Sequence, residues 1–198
     1  MMYKKEMVLQ KVACFLVLIS SVVVFLYSLG ILTDLYESFY YTIRDPQNAD
    51  RNPIPGSLIY YDMQPFNKTF LHLGLMLIIV AIFLFITSTH ARRRYYIGNV
   101  IAILANVAAN IGVFAWASGR IAAYKQQFLT TVDFEAFKAF VDQRGGYYTE
   151  STMWFDAKNV VFAFALICCA FLLCIMFWKF SLMKQEKALI EEGKGAAS

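Results

Sequence analysis

Four long stretches of this chain have no charge at all, and that absence excludes an ordinary soluble fold. Residues 12–32, 70–88, 97–117 and 160–178 contain no Asp, Glu, Lys or Arg. Each is close to the roughly 20 apolar residues that a helix needs to cross a hydrocarbon core. Only 16% of the chain is charged and 59% is hydrophobic, whereas a soluble domain carries roughly 25% charged residues. Cysteine is missing from everything between these stretches: Cys14, Cys168, Cys169 and Cys174 all lie inside them. No disulfide framework therefore holds the loops, and the four thiols read as small apolar side chains.

Histidine is nearly absent too. His72 and His90 are the only two, and on one straight helix they would lie about 27 Å apart. They cannot share a metal or a haem, and the chain offers no third histidine as an axial partner. A redox protein would need haem held between subunits. The zinc-protease, phosphate-loop and nucleophile-elbow spacings are also missing. Adjacent Cys168 and Cys169 lie deep in apolar sequence, where thiols lose reactivity. The chain is expected to be no enzyme and to hold no metal and no cofactor.

The charge that is present marks topology. Lys4, Lys5 and Lys11 precede the first apolar stretch, Arg92, Arg93 and Arg94 lie between the second and third, and Lys179, Lys184 and Lys187 follow the fourth. Short basic segments stay in the cytoplasm, and with four spans these three segments share one side. Both termini are expected to be cytoplasmic, with residues 179–198 as a tail. The net charge of +4 is spent at membrane ends, so no nucleic-acid partner is expected. The first apolar run exceeds the roughly 7–15 residues of a signal peptide, and it reads as a retained helix.

Two long segments, 33–69 and 118–159, then fall outside. They are rich in aromatics, among them Tyr60, Tyr61, Phe134, Phe137, Phe140 and Trp154, whereas disordered loops are poor in them. They are expected to pack into a small extracytoplasmic cap, either a miniature core or a binding face. The first helix can continue above the membrane through residues 34–44. Pro53-Ile54-Pro55-Gly56 reads as a turn, followed by a short extended segment, Ser57-Leu58-Ile59-Tyr60-Tyr61. Asp133 is placed to cap a helix in which Phe134, Phe137, Phe140 and Val141 share a face. That face lies either on the bilayer or over the first loop.

The third apolar stretch carries a polar stripe. At 3.6 residues per turn, Asn99, Asn106 and Asn110 align, with Ala102, Ala109, Val113 and Ala117 on or beside them. Gly98, Ala105 and Gly112 are expected to extend the small-residue face, with Ile97, Val100, Ile101, Leu104, Val107 and Ile111 opposite. Carboxamides turn from lipid toward other helices, so the stripe is expected either to glue helices together or to line a pore or pocket.

Four helices with two long outer loops resemble the topology of claudin-like and tetraspanin-like proteins. The likeness ends there: the first loop has no cysteine pair and no tryptophan, and the second has no Cys-Cys-Gly. The reading is thus an all-α membrane protein, a four-transmembrane-helix bundle with an aromatic-rich extracytoplasmic cap, forming one domain over residues 1–198 in the cell membrane. Its expected partners are the lipid bilayer and other membrane protein subunits or further copies of itself. Its expected role is an accessory or scaffolding subunit, with an oligomeric channel lined by the asparagines as the rival.

Overall fold

A computed structural model describes the backbone of residues 2–40, 54–89, 97–144 and 149–195, and the side chains of 5–33, 54–88, 97–143 and 149–192. All regular structure among them is helical: α1 (Met2–Tyr40), α2 (Ile59–Thr89), α3 (Ile97–Thr131), α4 (Phe134–Arg144) and α5 (Met153–Gly195). Helices α1, α2, α3 and α5 are each long and apolar enough to cross a membrane. The chain is an all-α membrane protein.

The helices outrun the apolar stretches because the helical spacing of buried residues continues beyond them. In α3, Ala117, Ile121 and Phe128 are buried although the sequence between them is largely polar. In α2, Ile59, Tyr60, Met63 and Phe66 are buried on successive turns, and Asp62 places a carboxylate at the positive end of the helix dipole. Tyr60 and Tyr61 therefore belong to the first turn of α2, not to an extended segment. The turn before it lies where the proline and glycine pattern put it, with Ser57 N–H bonded to Ile54 O at 3.3 Å.

Two compact units emerge from the packing. Unit 1 comprises Met1–Val22, Met76–Ile111 and Ala163–Ser198; unit 2 comprises Val23–Leu75 and Gly112–Phe162. The core of unit 1 draws on four helices: Ala13, Cys14 and Val17 from α1, Ala81 and Leu84 from α2, Ala102 and Ile103 from α3, and Cys168, Leu172, Ile175 and Met176 from α5. Cys14, Cys168 and Cys169 are buried free thiols, and Cys174 is free and exposed.

Unit 2 is built on rings. Phe114 and Phe162 stack at 4.4 Å, and Tyr27 meets Phe70 and Phe162 edge-on at 6.0 and 6.1 Å. Phe128 meets Phe134 of α4 edge-on at 5.1 Å and Phe155 of α5 at 5.5 Å. Phe137 is fully buried, while Phe134, Phe140 and Val141 of the same face are half-buried. Asp133 caps α4: its Oδ1 accepts from Ala136 N–H at 2.9 Å and its backbone O from Phe137 N–H at 3.0 Å. Its own N–H donates to Pro55 O at 3.1 Å, which pins the turn of the first loop to the start of α4. Gly56 makes this approach possible. Its φ is +77°, and a Cβ there would run into the Thr131 carbonyl.

Candidate functional site

A polar node in unit 1 concentrates the buried chemistry. It begins with an elementary defect of helices: the last carbonyls of α2 have no amide donor further along their own helix. Two carboxamides from neighbouring helices supply donors. Asn99 Nδ2 of α3 donates to Thr87 O at 2.6 Å, and Gln10 Nε2 of α1 donates to Ser88 O at 3.2 Å. Gln10 Oε1 in turn accepts from Lys179 Nζ of α5 at 2.9 Å, and the same ammonium lies 3.5 Å from Glu6 Oε1 of α1. One node thus ties α1, α2, α3 and α5.

Burial makes this node unusual. Glu6 and Lys179 are both 0% exposed, and ionisable groups inside a membrane protein mark function or obligatory pairing. The pair is incompletely satisfied. Neither carboxylate oxygen of Glu6 accepts a hydrogen bond, and Ser88 Oγ, also buried, has no partner. A carboxylate offers about four acceptor sites, so the node holds an ammonium, a carboxylate and unused hydrogen-bonding capacity in one closed interior.

The asparagine stripe faces inward. Asn99 is 5% exposed and Asn106 and Asn110 are 0% exposed, against 60% for Ile101 and 52% for Ile111. Asn110 Nδ2 donates back to Asn106 O at 2.9 Å and to Asn106 Oδ1 at 3.3 Å. Asn106 Nδ2 and Asn110 Oδ1 are buried without partners. Two details of the expected faces change. Val107 lies inside beside the asparagines, at 9% exposure. Gly98, Ala105 and Gly112 face outward, and nothing lies within 4 Å of where a Cβ would stand at Gly98 or Gly112. Consecutive residues stand about 100° apart around a helix, so Gly98 and Ala105, each one residue before an asparagine, lie on the neighbouring surface and not on the stripe.

The aromatic candidates lie in unit 2. Tyr60 and Phe137 are buried, while Tyr61, Phe134, Phe140 and Trp154 are partly exposed. Trp154 O accepts from Tyr27 Oη at 2.8 Å, and the Trp154 ring lies against Gly30, where a Cβ would collide with it. Phe134 and Trp154 thus form packing contacts in the unit. Polar links run alongside: Lys125 Nζ to Asp156 Oδ1 at 2.6 Å, Lys158 Nζ to Ser118 O at 3.0 Å and Tyr124 Oη to Asp62 O at 3.2 Å. His72 is exposed; His90 and Arg92, Arg93 and Arg94 lie outside the described residues.

Sequence reasoning missed Glu6, Gln10, Ser88 and Lys179. Lys179 abuts an apolar stretch and reads as a topology signal, and Glu6 sits among basic residues before the first stretch. A local trace existed: Glu6, Gln10, Ala13, Cys14 and Val17 repeat at helical spacing, so the inward face of α1 begins before its apolar run. No protein-family model, curated protein or solved structure matches the chain.

Proposed function

We propose that this chain is a non-enzymatic accessory or scaffolding subunit of a larger complex in the cell membrane, with both termini in the cytoplasm. A transport complex is the host class to test first. One observation carries the reading: in unit 1 Glu6, Gln10, Asn99 and Lys179 tie helix to helix, and large apolar side chains stand exposed on its spans. Ile79, Phe83, Ile101 and Ile167 are each more than half exposed. Lipid can cover such a surface, and so can another helix. The open glycine positions at Gly98 and Gly112 favour the second, because small residues let a neighbouring backbone approach closely.

The experiment is crosslinking in native membranes, followed by mild-detergent purification on a C-terminal tag and mass spectrometry. The reading expects foreign membrane subunits in fixed stoichiometry. Gly112→Leu should fold as the parent does, since a side chain there meets open space, and should lose part of that recovery. A stable particle containing only this chain contradicts the reading.

A second reading, an oligomeric channel or facilitator, draws support from the unpartnered Asn106 Nδ2 and Asn110 Oδ1. Their complete burial within one chain weighs against a pore between subunits. Reconstituted Asn106→Leu/Asn110→Leu protein decides: unchanged flux removes the pore reading, and lost stability with no flux in the parent supports packing.

A further inference from the structure

We propose that Asn106 and Asn110 form a binding site for water inside the span of unit 1. The site stands apart from the subunit role, and it accounts for the open carboxamide groups without a pore.

Hydrogen-bonding capacity is the first argument. A carboxamide carries an NH₂ donor and an acceptor oxygen. Asn110 Nδ2 donates to Asn106 O at 2.9 Å and to Asn106 Oδ1 at 3.3 Å. Asn106 Nδ2 and Asn110 Oδ1 stay buried without partners. Turning both carboxamides over changes which atoms are open, but one nitrogen and one oxygen still remain. Buried polar groups left unpaired are unfavourable, and protein or ordered water satisfies nearly all of them. The two carboxamides already touch, so the open donor and the open acceptor share one small volume.

The surroundings select the occupant. Both side chains are 0% exposed, so neither a lipid headgroup nor a side chain of another subunit reaches them. A cation would meet the N–H group, and an anion would meet the carbonyl oxygen. Water is small, and it both donates and accepts. The neighbouring layer of the bundle suits it. Val17, Ala102 and Cys168 belong to one core. One turn further from the Glu6–Lys179 node stand Ser20 and Ser21 of α1, Asn106 of α3 and Ala165 of α5, all buried. The serine and alanine side chains are short and take up little of that layer. Both serine hydroxyls turn back on their own helix and donate to Val17 O at 2.9 Å, so their protons do not serve Asn110 Oδ1. A polar interior of this kind, with a donor and an acceptor converging, is where buried water is found.

The test is nuclear magnetic resonance of the full chain in nanodiscs of deuterated lipid, with isotope-labelled asparagine side chains. Cross-relaxation between the Asn106 side-chain amide protons and water is measured in the laboratory and rotating frames. The parent should give a cross-peak at the water frequency with opposite signs in the two frames, the mark of water that stays bound while the particle tumbles. Asn110→Leu, which removes the acceptor, should lose that cross-peak. Ser20→Ala/Ser21→Ala, which removes the hydroxyl protons of the same layer that could exchange with water, should keep it. A parent without the cross-peak overturns the proposal, and so does one whose signs report water in passage, as in a pore. A cross-peak that survives Asn110→Leu, or that vanishes with the two hydroxyls, overturns it too. If Asn110→Leu does not fold, the parent and the serine double variant decide.

Discussion

Units 1 and 2 are both helical, yet different chemistry fastens them. Unit 1 adds buried polar groups to its apolar core: two carboxamides on the terminal carbonyls of α2 and an ion pair with no exposure. Unit 2 joins its helices through stacked and edge-on rings, with polar links at partly exposed positions such as Lys125–Asp156. The consequences differ. Ring packing is tolerant, because dispersion and apolar burial are spread over many atoms. A buried ion pair is intolerant, because loss of one member strands the other. Unit 1 should therefore be the brittle half and unit 2 the graded one.

Substitutions sharpen or break that contrast. The largest effect should come from Lys179→Met, which strands the Glu6 carboxylate and should cost about 3–5 kcal/mol. It should show as a large drop in unfolding midpoint and lost amide protection in unit 1. The matched Glu6→Leu/Lys179→Leu variant should recover most of that loss, since an apolar pair of similar volume replaces a buried ion pair at little cost. A double variant as unstable as the single one would mean that the charges are not the issue. Next comes Gly56→Ala in unit 2. The left-handed backbone alone makes it unfavourable by about 1–3 kcal/mol, and the Thr131 carbonyl in the path of the new Cβ adds to that. Hydrogen exchange should locate the loosening at the 54–58 turn and the start of α4. Asn99→Leu should cost less, about 0.6–2 kcal/mol, the range for one interhelical hydrogen bond in a membrane bundle. The smallest effect should be Lys125→Met, because exposed ion pairs contribute little. Its unfolding midpoint should be near that of the parent.

The sequence makes the four spans legible because uncharged runs of membrane length have few other uses. The asparagine stripe is legible for a similar reason. Asn99, Asn106 and Asn110 repeat at helical spacing, and hydrocarbon offers carboxamides nothing, so inward burial follows. Asp133 is legible as a cap through its spacing from the phenylalanines of α4. The polar node is not legible. Its members come from opposite ends of the chain, Glu6 and Lys179, and charge at the end of an apolar run looks the same whether it faces water or another helix. The helical start at Tyr60 and Tyr61 was hidden as well. Aromatic residues after a proline-rich turn suit a strand by propensity, and only the continued burial of Met63 and Phe66 marks a helix.

Crosslinking in native membranes, followed by purification on the C-terminal tag and mass spectrometry, tests the central claim most directly. The account predicts foreign membrane subunits at fixed stoichiometry, crosslinked to the outward face of α3. Recovery of this chain alone, as a defined oligomer that conducts a solute when reconstituted, would contradict it.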